Sequence, residues 1–325
     1  MSQLTEVQRY TISSMLQAGH KKSAISRTIQ KDKSVISREV KRNCDKRNGV
    51  YKHELAQQKC DERHKSKPKK IYLTASLKSL IQENLKELYS PEQIAGNAKK
   101  NGLVCVSAER IYQYIWLDKK QGGKLYKYLR TQGKRYRKRG ASKDKRGMIV
   151  GRVDISKRPL IVEKRERLGD LEIDTIIGKN HKGAIVTIND RVTGELKMKK
   201  LNSKDANELA IATIKILEEW RPFIKTITAD NGKEFAEHQM ISDELNIDFY
   251  FAKPYHSWER GSNENLNGLI RQYIPKKTDF TTITDEYVEY IEKKLNNRPR
   301  KRHNFETPKQ FFNHLINQEK VAFMT

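Results

Sequence analysis

The spacing of apolar residues changes once along this chain, near Leu168, and that change limits the folds open to it. Upstream, apolar side chains recur at spacings of three and four, the signature of short amphipathic helices. Downstream they gather in short β-rich runs, Leu171–Ile177, Ala184–Asn189 and Glu195–Leu201, joined by Gly-containing turns. Such runs predict an antiparallel three-strand meander. A helix is predicted from Asp205 to Trp220, with Leu209, Ala212, Ile216 and Leu217 on its apolar face, and further strands at Lys225–Ala229 and Ile247–Phe251. Strands crossed over by a helix imply a mixed sheet. The expected architecture is an all-α front followed by an α/β domain, in a 325-residue chain long enough for more than one domain.

Charge follows the same division. Of a net +26, residues 1–150 carry 36 Lys and Arg against 13 Asp and Glu, while residues 151–325 carry 30 against 27. A field so concentrated suits a polyanion, because each phosphate neutralised releases condensed counterions. Nucleic acid is the expected partner; a basic surface kept only for solubility is the alternative. No run approaches the roughly 18 apolar residues of a membrane span, and the polar start lacks a signal-peptide core. A soluble, cytoplasmic, nucleoid-associated protein with no membrane partner is expected. Cys44, Cys60 and Cys105 are odd in number and widely spaced, which argues against a disulfide framework. Cys44, His53, Cys60 and His64 lack the C-x-x-C pair that anchors common zinc sites.

Thr5 and Gln8 form a capping-box pattern ahead of Ile12, Met15 and Leu16, with Gly19 as a stop; a second helix fits Lys22–Ile29 and a third opens at Ser34. Three short helices predict a helix-turn-helix module, although the turn lacks the usual glycine. On the third helix Ile36 and Val40 face inward, while Ser34, Ser37, Arg38 and Lys41, followed by Arg42, face outward. That stripe carries the hydroxyls and cations that reach base edges and phosphates in a major groove; a merely solvated face is the alternative. A second pair begins at Ser90-Pro91-Glu92-Gln93, another capping box with Pro at the first helical position. Its second helix, from Ser107, puts Ile111 and Ile115 inward and Glu109, Arg110 and Gln113 outward, which fits either a second reading module or a hairpin that only packs or dimerises. The runs at 65–70 and 134–140 are basic linkers suited to tracking phosphates.

In the C-terminal half Asp174 interrupts an Ile-rich strand, and a carboxylate among apolar side chains calls for a compensating cation or hydrogen bonds. Asp230 ends a strand just before Asn231-Gly232, and Glu264 opens a helix carrying Leu266, Leu269, Ile270 and Tyr273. Three such acids could converge to hold Mg²⁺, which takes hard oxygen ligands and can sit beside phosphates. Two ions can serve in-line displacement with no protein nucleophile. Other acids compete for the role: Glu172 on the same strand face, Asp190 at the next strand end, and Glu259 just upstream of Glu264.

Nearly the whole chain resembles the insertion-sequence-thirty family of bacterial DDE transposases. The resembling segments are Leu4-Thr5, Ile36-Ser37-Arg38-Glu39, Ser90-Pro91-Glu92-Gln93-Ile94-Ala95, 169–178, Asp230-Asn231-Gly232-Lys233-Glu234-Phe235, 254–265 and Leu295-Asn296-Asn297-Arg298-Pro299-Arg300, in order and at matching spacing. The resemblance implies a ribonuclease-H-like, integrase-like catalytic domain with Asp174, Asp230 and Glu264 as the catalytic, metal-binding acids. It also implies Mg²⁺ (or Mn²⁺), in two ions, and cleavage by water followed by attack of the freed 3′ hydroxyl. Leu171 stands where the family usually has tryptophan, which removes an aromatic but no ligand. His256, Trp258 and Arg260 lie beside the catalytic helix, where they fit a grip on DNA or a packing and capping role.

The expected organisation is a helix-turn-helix domain over 1–48, a second helix-turn-helix-like domain over 71–120, a basic linker over 121–160 and the catalytic domain over 161–325. The expected function is binding of a mobile element's terminal inverted repeats with strand cleavage and transfer into target duplex DNA, by a homo-oligomer of at least two chains. A non-catalytic DNA-binding regulator and a nuclease of the same fold that cuts without joining are the alternatives.

Overall fold

A computed structural model of the chain describes residues 3–66, 73–132, 149–253 and 261–322. Its contacts divide into two units, residues 1–72 and 73–325.

The first unit holds α1 (Glu6–Gln17), α2 (Lys22–Thr28), α3 (Lys33–Asn43) and α4 (His53–Ser66). The Thr5–Gln8 capping box closes as expected, each side chain bonded to the other residue's backbone N–H. Helix α3 starts one residue before the expected Ser34, because the Asp32 carboxylate accepts the Ser34 N–H at 2.8 Å and is the cap. The missing turn glycine is replaced by Gln30, which adopts the left-handed conformation itself at φ 54°. Ile12, Ile25, Ile36 and Ala56 are fully buried and close a core of their own. Arg9, buried on α1, donates to Glu39 Oε1 on α3 (2.9 Å) and to Gln57 Oε1 on α4 (2.8 Å), tying three helices together.

The second unit opens with α5 (Ala75–Lys86), α6 (Pro91–Lys100) and α7 (Ala108–Lys120), packed through Ile81, Leu85, Ile94, Ile111 and Ile115. The Ser90–Gln93 capping box forms. After the short α8 (Leu160–Lys164) come β1 (Asp170–Ile177), β2 (Ala184–Asp190), β3 (Leu196–Leu201), α9 (Ala206–Leu217), β4 (Thr226–Ala229), α10 (His238–Leu245) and β5 (Asp248–Phe251). Helices α11 (Gly261–Tyr273), α12 (Asp285–Asn296) and α13 (Pro308–Ala322) complete it. The strand order is β3-β2-β1-β4-β5, antiparallel from β1 to β3 and parallel from β1 through β4 to β5. This is the expected mixed sheet of a ribonuclease-H-like fold.

Alternation along the strands gives the sheet two apolar faces. Leu171, Ile173, Val186 and Ile188 pack with α9 and α10, while Ile176, Ile185 and Met198 pack with α11 and α12. Along the open side of β3, Leu196 N–H donates to Asn296 Oδ1 (2.9 Å) and Met198 N–H to Glu292 Oε2 (2.6 Å), both on α12. At β5, Phe251 N–H donates to Val153 O at 2.9 Å.

Two segments differ from their expected roles. Residues 149–160, read as linker, fold onto the sheet: Ile149 joins its core and the buried Arg158 donates to Thr228 Oγ1 (2.7 Å). The α5–α7 cluster, expected as a domain over 71–120, shares a compact unit with the sheet. Buried Arg298 holds it there, donating to Gln93 Oε1 and Gln272 Oε1 (both 3.0 Å) and to Leu88 O. No helix among the described residues is long and apolar enough to cross a membrane.

Candidate active site

The register of β1 and β4 places two of the expected acids. Their last pair is Glu172 with Thr228, so Asp174 and Asp230 each stand two residues beyond it, level with one another where the parallel pairing ends. Asp174, half-buried, accepts Thr175 N–H at 2.9 Å on one oxygen and Asn267 Nδ2–H at 2.6 Å on the other. Asp230 accepts Gly232 N–H at 2.7 Å. The turn after Asp230 is anchored by Asn231, whose amide donates to Ala252 O and accepts from Arg152, each at 2.6 Å.

Glu264 is exposed on the first turn of α11. The helix is held against β1 by Asn263 Nδ2–H donating to Ile173 O (3.4 Å) and Arg271 donating to Ile177 O (3.3 Å). Asp174 and Glu264 therefore line one cleft of about 540 Å³, with Arg130, Asn267, Arg271 and Lys276 supplying amide and cationic walls. Asp230 is not among the residues lining that cleft. Among the described residues no group of three or more His, Cys, Asp or Glu side chains is disposed to hold a metal ion.

Two residues that sequence reasoning missed organise the acids. Asn267 lies one turn after Asn263 and bonds Asp174 directly. Glu234, buried in the turn after Asp230, accepts from Thr175 Oγ1 (2.8 Å) and pairs with Lys204 (3.1 Å), so it links the neighbour of Asp174 to the Asp230 loop. Burial opposes its ionisation, but these bonds, its own N–H and the Lys204 charge hold its carboxyl below the ordinary value.

The competing acids have other partners. Glu172 is fully buried and pairs with Arg191 Nη1 at 2.6 Å. Arg191 also reaches Glu163 (3.4 Å), which pairs with Arg158. Asp190 is engaged by the N–H groups of Gly169, Val192 and Thr193, and burial nonetheless pushes its carboxyl up. Glu259, His256, Trp258 and Arg260 lie outside the described residues, as does the basic run 134–140.

On α3, Ser34, Arg38, Lys41 and Arg42 are exposed and Ser37 is half-buried; Arg38 folds back on Ser34 O and Oγ, both at 3.2 Å. On α7, Arg110 and Gln113 are exposed and bonded to each other at 2.9 Å.

The sequence is similar to those of known proteins. Residues 1–43 match a family model described as a helix-turn-helix domain. The transposase for insertion sequence element IS4351 of Bacteroides fragilis is 56% identical over 98% of each chain. The transposase InsI for insertion sequence element IS30A of Escherichia coli is 32% identical over 95% of this chain and 83% of its own. The transposase for insertion sequence element IS1086 of Cupriavidus metallidurans is 32% identical over 88% and 87%. A solved intasome of simian T-cell lymphotropic virus, in complex with PP2A regulatory subunit B56 gamma, covers 44% of this chain and 54% of that chain at 17% identity and TM-score 0.38. Relatives of this kind mark the chain as a DNA-processing enzyme. The chain belongs to the IS30 family of insertion-sequence transposases.

Proposed function

We propose that Asp174, Asp230 and Glu264 are the catalytic acids of a metal-dependent strand transferase that cleaves at the ends of its mobile element and joins the freed 3′ hydroxyl to target duplex DNA. The observation that carries this reading is the level placement of Asp174 and Asp230 at the end of the β1–β4 pairing, with Glu264 across a shared cleft from Asp174. The donor set fits a hard cation, being all carboxylate oxygen, from within β1, from the end of β4 and from the start of α11. Bound Mg²⁺ or Mn²⁺, in two ions, would supply Lewis-acid stabilisation of the reacting phosphate oxygens. The chain's own groups do the rest. Asn267 and the Thr175 N–H hold the Asp174 carboxylate in one orientation, and Arg130, Arg271 and Lys276 offset phosphate charge at the cleft. A strand-transfer assay on labelled element ends tests the reading: cut ends that never join favour the nuclease alternative, and no cutting with either metal removes the assignment.

We assign end recognition to the first unit, with Ser34, Ser37, Arg38, Lys41 and Arg42 at the DNA, and an accessory contact to Arg110 and Gln113. Arg38→Ala is expected to relax sequence discrimination at a cost of roughly 1–3 kcal/mol, as for loss of a base contact, with binding that falls steeply as salt rises. Fluorescence anisotropy of the full-length protein and of its first unit, residues 1–72, on element-end and random duplexes checks this; equal affinity for both duplexes would place specificity elsewhere.

Joining brings separate ends to one target, and each chain has one set of these acids, so the active species is assigned as at least a dimer on paired ends. Light scattering with paired end oligonucleotides in Mg²⁺-free buffer should give two chains per complex. A competent complex containing one chain would defeat the assignment.

A further inference from the structure

A second cavity, of about 600 Å³, opens between the α5–α7 cluster and α11, on the other side of α11 from the carboxylate cleft. Four arginines line it, Arg130, Arg298, Arg300 and Arg302, with Glu92 as the one acid among the described lining residues. Their hydrogen bonds go to neutral groups. Arg298 donates to two glutamine side-chain oxygens and a backbone carbonyl, Arg300 to Leu295 O (3.0 Å), and Arg302 to His303 Nε2 (2.9 Å). Burial, and then repulsion from Arg298 and Arg302, makes the Arg300 guanidinium less basic. Asp190 and Glu172 partly offset the charge of Arg302, but no carboxylate does so for the desolvated Arg298 and Arg300, and an anion entering the cavity relieves that cost.

The other walls are aromatic. Tyr89, Trp116 and Tyr128 offer ring faces beside the arginines, the combination that holds a base and its phosphate in single-stranded sites. A duplex would present only its outer phosphates and leave these rings unfilled, whereas the volume falls in the range that encloses a small-molecule-sized group.

Position ties the cavity to the acids. Glu264 lines the cleft and Asn265, the next residue, lines the cavity; consecutive Cα atoms are about 3.8 Å apart. Arg130 lines both spaces, donating to Asn265 Oδ1 (2.6 Å) and Asn265 O (3.2 Å).

We propose that this cavity receives one unpaired nucleotide next to the reacting phosphodiester, its phosphate on Arg300 and Arg302 and its base against the aromatic wall. The inference rests on the strand-transferase reading above, and it adds that the strand is locally unpaired when bound.

The test uses the full-length protein, in buffer with EDTA, and element-end duplexes carrying 2-aminopurine at successive positions around the cleaved bond. The parent protein should raise fluorescence at one or two positions adjoining that bond. Arg302→Gln, which removes an exposed side chain, should abolish the rise, weaken binding about tenfold and lower the salt slope by about one, as for one lost phosphate contact. Trp116→Leu should change the emission of the reporter base with little effect on the salt slope. Lys215→Gln, an equal charge change at an exposed position of α9, should alter neither. A parent protein that raises fluorescence at no position, or Arg302→Gln and Trp116→Leu proteins that both behave as the parent, would overturn the proposal. No chemistry occurs in EDTA, so the two readings separate. Strand transfer in Mg²⁺ without the fluorescence rise removes the cavity alone; the rise without strand transfer in any metal keeps the cavity and removes the activity.

Discussion

Asp174→Asn, Asp230→Asn and Glu264→Gln proteins are each expected to lose cleavage and joining together, to below about one-thousandth of the parent rate, while binding element ends with unchanged affinity. Removing one donor to a transition state already costs 10²–10³ in rate, and a direct metal ligand is at least as demanding. The substitutions are also structurally mild. Asn at 174 keeps an oxygen for the Thr175 N–H, and Glu264 is exposed, so neither should unfold the sheet. Gel-based cleavage and strand-transfer assays alongside anisotropy provide the measurement. Substantial activity in any one variant would remove that residue from the catalytic set. Glu259→Gln is the control and should remain active.

Arg191→Met should destabilise the sheet domain by about 3–5 kcal/mol, because it removes the cation bonded to a fully buried carboxylate. For a unit of this size that corresponds to a fall of roughly 10 °C in the melting temperature. The informative comparison is the double variant Glu172→Met with Arg191→Met. Two apolar side chains of similar volume leave no buried charge from the pair, so the double variant should melt well above the single one. Calorimetry of both proteins decides the matter: a double variant no more stable than Arg191→Met would mean that the ion pair is not what holds Glu172 in the sheet.

Much of this architecture was legible in the sequence because its determinants are local. Thr5–Gln8 and Ser90–Gln93 are reciprocal bonds within one turn, and the three β-rich runs matched β1 to β3 within a residue at most ends. Helix α4 was missed. Its sequence, His53–Ser66, buries only Ala56 fully and is held by polar links such as Gln57 to Arg9, which no apolar period reveals. Long-range pairings were equally hidden. Nothing near Glu172 announces Arg191, and nothing near Ser90 announces that Arg298 will pin the second helical cluster to the sheet. In the candidate site only Asp174 stood out as a charge in an apolar run; Asp230 and Glu264 lie in polar segments and were singled out by the family resemblance. Asn267 and Glu234 did not stand out, because an Asn in a polar helix or a Glu in a turn is unremarked until the fold brings Asp174 or Thr175 beside it.

The way the sheet ends has a consequence for assembly. An unpaired strand edge is a template on which a second chain can add a strand and continue the sheet. Here Asn296 and Glu292 occupy outward N–H groups of β3, and the chain at Val153 covers β5 at Phe251. With those positions already bonded, the described strands leave no continuous edge along which two copies could merge their sheets. Under the dimer reading proposed above, the union would run through helical surfaces or through the DNA itself.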